Sequence, residues 1–177
     1  RWIWLFGFVF HLALVLVLLR HFRYFTEPVW MPIAAMQAYG VYAAFAMVAG
    51  LAGLWVRRFT VERIRYISVP SDHLMLALLL GIALTGLGTK YVARTDIIGV
   101  KAFILGLIRF DWQPLPPDPM LLLHLALVVL LMLVFPFSKL LHAPGVFFSP
   151  TRNQVDDSRV RRHLAGWAKA FQDEPKD

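Results

Sequence analysis

Apolar residues run along this chain in four long blocks that show no amphipathic period. Residues 2–19 are interrupted only by His11, 29–56 are rich in small side chains, 72–89 are leucine-rich, and 120–141 contain His124 and Pro136. Crossing the hydrocarbon core of a bilayer takes roughly 20 residues of helix. Each block therefore predicts a transmembrane helix, the first and third only just long enough. The nine-residue run AFILGLIRF at 102–110 is too short to span. It predicts a helix lying at the membrane interface within the segment 97–119, after which QPLPPDP restarts the chain for the last span. From 149 onward the sequence is polar, with a weakly amphipathic stretch at 160–171. The expected fold is an all-α integral membrane helical bundle, residues 1–145, followed by a cytoplasmic tail, 146–177.

Composition strengthens the membrane assignment. Hydrophobic residues make up 59% of the chain and charged ones 16%, and the mean hydropathy is +0.62, outside the range of soluble domains. The net charge of +7 does not point to nucleic acid, because the basic residues sit at the ends of apolar blocks, where they fix topology and meet anionic lipid. Twelve Lys and Arg fall on one side of the alternating spans (position 1, the 57–70 segment, and Lys139 onward) against six on the other. The richer side is expected to be cytoplasmic, in a cytoplasmic (inner) membrane with the C-terminus inside. There is no cysteine, which excludes disulfides, cysteine-held iron–sulfur clusters and c-type haem attachment in this chain. The sequence opens at Arg1 directly in an apolar block, and more transmembrane sequence is expected upstream.

Four histidines stand out against this background: His11 and His21 in the first block, His124 and His142 in the last. An imidazole in hydrocarbon is costly without a partner, and two per helix on two helices ask for a shared ligand. Haem b fits, with two haems expected. If the first and fourth helices run antiparallel, His11 pairs with His142 and His21 with His124. The fit along the axis is imperfect: at 1.5 Å per residue the first two lie about 15 Å apart and the last two about 27 Å. Fraying near Arg20 and a kink at Pro136 are expected to absorb the difference. The bland reading, isolated histidines bonded to backbone or lining a water cavity, stays open, as does a transporter or scaffold using them for metal or protons. His73 and His163 read as surface residues. Haem propionates need cations, for which Arg20, Arg23, Lys90 and Arg94 are candidates on one side and Arg57, Arg58 and Lys139 on the other. Small residues in the second and third spans read as helix packing.

These segments resemble a known family. FHLALVLVLLRHF at 10–22, the RRF…R…R…SD pattern at 57–72 and HLALVVLLMLVFPFSKLLH at 124–142 look like the gamma subunit of respiratory nitrate reductase, a dihaem cytochrome b. In that family the four matching histidines are axial ligands. RHFRYFTEPV at 20–29, RYISVPSD at 65–72 and GVFFSPTRN at 145–153 are more similar to the membrane subunit of the dissimilatory sulfite reductase-associated (Dsr) electron-transfer complex. That resemblance implies an electron-transfer subunit of a quinone-dependent oxidoreductase complex in sulfur metabolism. It also implies menaquinone as substrate and a cytoplasmic iron–sulfur partner similar to heterodisulfide reductase. A nitrate reductase gamma-like role is the alternative, against which the GVFFSPTRN tail argues. The nitrate reductase family's quinol-site lysine has no counterpart, since no lysine lies between Arg23 and Lys90. Glu27, Tyr39 and Asp96, with Lys90, are the candidates by position for handling quinol protons.

Overall fold

The computed structural model describes residues 2–142 and residue 145. Seven α-helices occur among them: α1 (Trp2–His21), α2 (Met31–Ala35), α3 (Gly40–Thr60), α4 (Glu62–Ile67), α5 (Pro70–Tyr91), α6 (Ile97–Arg109) and α7 (Pro119–Val134). Short 3-10 turns follow α1 (Phe22–Tyr24) and α7 (Phe135–Phe137, Lys139–Leu141). No strand occurs among the described residues. Four stretches are long and apolar enough to cross a membrane: Trp4–Tyr24, Gly40–Thr60, Pro70–Tyr91 and Pro119–Phe137. The expected tail, 146–177, with His163 and the end of the GVFFSPTRN motif, lies outside the described residues.

The packing order is α1 on α3, α3 on α5 and α5 on α7. A small core of Phe10, Ala13, Met47, Leu51 and Ala83 joins the first three, while Leu12, Val15 and Leu18 of α1 and Val129, Met132 and Leu133 of α7 face outward. Large apolar side chains turned away from the protein are what a lipid surround calls for, and the helices must then hold together by close approach rather than by expulsion of water. Glycine supplies that approach: a Cβ on Gly50 would come within 3.1 Å of the Phe10 backbone, one on Gly53 would overlap the Phe6 ring, and one on Gly88 would lie 2.9 Å from Met120 Sδ. The sequence reading of these small residues as packing holds for these three. The same contacts show α1 antiparallel to α3 and α5 antiparallel to α7, since rising numbers on one helix meet falling numbers on the other.

Several boundaries differ from expectation. The second span begins at Gly40, and residues 29–39 instead form the short α2 and a turn closed by Met36, Gln37, Tyr39 and Gly40 N–H groups on carbonyls of Pro32, Ala34 and Met36. Pro28 lies in the loop before α2, and Pro32 falls in the first turn of α2, where its missing N–H is tolerated. The first helix does not fray at Arg20 but continues through His21 into the 3-10 turn. The fourth helix stops at Val134, two residues before the expected kink, because a proline at 136 has no N–H for the Met132 carbonyl and its ring crowds that turn. Ser138 is extended, with ψ 163°, so the Lys139–Leu141 turn leaves the α7 axis. The expected interfacial helix is present as α6, capped by Asp96 accepting from Ile98 N–H and ended by Phe110 at φ 59°. Its 13 residues cover about 20 Å, too little for the roughly 30 Å hydrocarbon core.

Candidate functional site

The four histidines of the first and last apolar blocks sit on α1 and on α7 with its following turn, the two ends of the packing row. These helices do not pack backbone to backbone as their neighbours do, and histidine rings occupy the space between them. His11 and His142 face each other with ring centres 6.0 Å apart and planes at 80°. Two imidazoles bound through nitrogen to opposite sides of one metal, each about 2 Å from it, have centres roughly 6 Å apart. Of the two pairs expected from the antiparallel arrangement, the first, His11 with His142, has its rings in contact. The break at Pro136 is what allows the first, since a continuous helix would carry His142 further along the α7 axis.

Each ring also has one nitrogen already committed. His11 Nδ1 is 2.7 Å from the Gly7 carbonyl, His21 Nδ1 is 2.6 Å from that of Val17, and His142 Nδ1 is 3.0 Å from that of Lys139. A carbonyl only accepts, so Nδ1 is the donor in each of these bonds. His124 Nδ1 instead meets the Thr85 hydroxyl of α5 at 3.0 Å. Nε2 is then the nitrogen through which each ring could hold a haem iron, and an outer hydrogen bond on Nδ1 is the usual way such ligands are oriented. His73 differs: Trp55 Nε1–H donates to its Nδ1 at 3.1 Å, and Phe59 packs on its ring. It is a partly buried structural residue, more enclosed than the surface position expected.

The candidate cations divide between the two ends as expected. At the end of α3 and the start of α5, Asp72 is buried and holds Lys139 Nζ at 2.8 Å and Arg58 at 3.2 Å, with Arg58 also donating to Ser68 Oγ at 2.9 Å. Sequence reading passed over Asp72 as a helix-start residue. It does cap Val69 N–H, but it also ties α3, α5 and the turn bearing His142 together. Arg57 lies beside it with its buried Nε unpartnered, in a shallow hollow lined by Leu54, Ile64, Ile67 and Leu76. At the other end the Arg20 side chain lies against Gly40, Arg23 over the Tyr24 ring and Lys90 over that of Tyr91, while Arg94 is exposed at φ 50°. The three residues considered for quinol protons are not brought into one cluster. Glu27 forms an ion pair with Lys101 of α6, Asp96 caps α6, and Tyr39 is exposed at the start of α3. Asp118 caps α7 at Met120 N–H and accepts from the Thr95 hydroxyl; that hydroxyl above all holds its carboxyl below the usual aspartate range.

The chain is 42% identical over 185 aligned residues to the Hdr-like menaquinol oxidoreductase cytochrome b-like subunit of Archaeoglobus fulgidus, covering 96% of this chain and 56% of that protein. It is 36% identical to the protein of the same description from Archaeoglobus profundus, over 94% of this chain and 54% of the relative. With the respiratory nitrate reductase 2 gamma chain of Escherichia coli it shares 27% identity, over 85% of this chain and 76% of that one. The chain thus spans about half the length of the two archaeal relatives. No solved structure matches. The nitrate reductase gamma subunit model matches residues 1–163, a stretch that takes in all four intramembrane histidines, and the chain belongs to that family.

Proposed function

We propose that this chain carries electrons across a membrane between the menaquinone pool and a partner subunit, using two b-type haems held by His11 with His142 and by His21 with His124. The observation that carries the proposal is the pair of facing rings, His11 and His142, each with Nδ1 occupied by a carbonyl of its own chain. Haem bound there supplies the reversible one-electron chemistry that no side chain of this chain has. The protein's part is to present bare Nε2 atoms, to keep the imidazoles in a low-dielectric space, and to place cations near each membrane surface for the propionates. Arg57, Arg58 and Lys139 serve one end; Arg20, Arg23, Lys90 and Arg94 serve the other.

By the Lys and Arg asymmetry the Asp72 end faces the cytoplasm, as does the 146–177 tail. Quinol then reacts at the His21/His124 end, beneath α6, where Tyr39 and Asp96 stand at the starts of α3 and α6 and Glu27 pairs with Lys101 of α6. A carboxylate there accepts protons that quinol sheds as its electrons leave. The cytoplasmic face, with the 57–70 segment and the basic tail, docks an acidic iron–sulfur partner of the heterodisulfide reductase type, in sulfur metabolism. Charge there speeds encounter more than it tightens binding. The greater similarity to the Hdr-like proteins than to the nitrate reductase chain favours this partner over a nitrate reductase. A dithionite-reduced minus oxidised spectrum of the purified membrane protein, with pyridine haemochrome quantitation, tests the proposal. About two haems b per chain are expected from the two histidine pairs; a folded preparation with none overturns it.

A further inference from the structure

Three of the four histidines orient themselves on carbonyls of their own chain three or four residues back, whereas the Nδ1 of His124 bonds to a side chain of a neighbouring helix. We propose that Thr85, with Gly86 beside it, positions the His124 imidazole and tunes the electron affinity of whatever iron it binds, an inference that rests on reading His124 as a haem ligand. The Thr85 hydroxyl has one proton, and the Gly81 carbonyl takes it at 2.7 Å, with the Ile82 carbonyl at 3.1 Å as a second acceptor. Its oxygen is left as an acceptor toward His124, so Nδ1 must be the protonated nitrogen and Nε2 the free one. The Ile82 carbonyl, which has two lone pairs, is a second acceptor at the ring beside the Thr85 hydroxyl. Gly86 completes the seat: a Cβ there would stand 3.1 Å from His124 Cε1 and 3.6 Å from Nδ1, so any side chain would turn the ring. Thr85 is buried in an apolar span, where a hydroxyl is costly unless it is used.

A hydrogen bond accepted from Nδ1–H makes an imidazole a stronger donor to iron and favours the oxidised state. In the purified protein, Thr85→Val keeps the side-chain shape and removes the acceptor. Redox titration is expected to show the midpoint potential of one haem shifted upward and the other unmoved, with Thr85→Ser restoring the original value. Gly86→Ala is expected to alter the low-spin ferric resonance of that same haem by turning its ligand plane. Two haems present with both potentials unmoved in Thr85→Val would overturn the role of Thr85 alone. A wild-type protein that folds without haem would overturn the ligand reading beneath it.

Discussion

His142 and His73 lie at the same end of the bundle and look alike in sequence, yet their surroundings separate them. His142 has its Nδ1 on the Lys139 carbonyl and faces His11; His73 accepts from Trp55 and stacks with Phe59. Replacing His142 by alanine is expected to halve the pyridine haemochrome yield per chain, while His73→Ala leaves it at the wild-type level. Loss of haem in both variants, or in neither, would break the pairing. The four histidines were legible in the sequence because imidazole is rare in an apolar run. Thr85 and Asp72 were not: a threonine or aspartate in a helix has many ordinary uses, and only the approach of a second helix reveals which it serves. Asp72 is 7% exposed and faces two cations that remain partly hydrated, Arg58 at 27% and Lys139 at 70%. Asp72→Asn therefore leaves no fully buried charge stranded, and the expected loss is about 1–2 kcal/mol rather than the larger cost of orphaning a buried ion. A lower unfolding midpoint in detergent, with preferential loss of one haem on heating, is the outcome to look for.

Between residue and bundle stands the question of why α7 ends where it does. The apolar pattern continues to Leu141, so hydropathy alone extends the helix to His142, and the mismatch of about 15 Å against about 27 Å in histidine spacing follows from that extension. Pro136 resolves it by stopping the α-helix and handing the chain to two 3-10 turns that bring His142 to His11. Pro136→Ala restores the missing N–H, permits a longer helix, and is expected to remove the haem at His11 and His142 while sparing the other. Retention of two haems with unchanged spectra would show that the turn is set by Ser138 and Lys139 instead. The other end of α7 depends on pH. Asp118 has a folded pKa below its unfolded one, chiefly through the Thr95 hydroxyl, so its capping contribution is complete above the ordinary aspartate pKa of about 3.9 and is lost as pH falls below it. An acid titration of thermal stability is expected to fall more gently below that pH in Asp118→Asn, which keeps an acceptor but has no carboxylate to protonate. The break before Gly40 was the boundary least visible in sequence, because alanine, methionine and glutamine at 34–38 are good helix formers and no helix-breaking residue stands between Pro32 and Gly40.

The whole bundle is an alternating stack whose two surfaces differ in charge, and that difference decides the direction in which electrons and protons are separated. If the Asp72 end is cytoplasmic, quinol chemistry beneath α6 releases protons outside while electrons leave inward, and each turnover moves charge across the membrane. If the orientation is reversed, the same residues place quinol chemistry on the partner's side and no such separation follows. Twelve basic residues against six argue for the first arrangement, since flanking Lys and Arg are retained on the cytoplasmic side during insertion. The chain has no cysteine of its own, so a single introduced one reports its side without background. Trp112, 77% exposed just after α6, and Arg63, exposed on α4, mark opposite ends. In intact cells a membrane-impermeant maleimide is expected to label Trp112→Cys at once and Arg63→Cys only after permeabilisation. The opposite pattern would invert the topology and move the quinol site to the cytoplasmic face, while leaving the histidine pairs, which depend on the packing of α1, α3, α5 and α7, as they are.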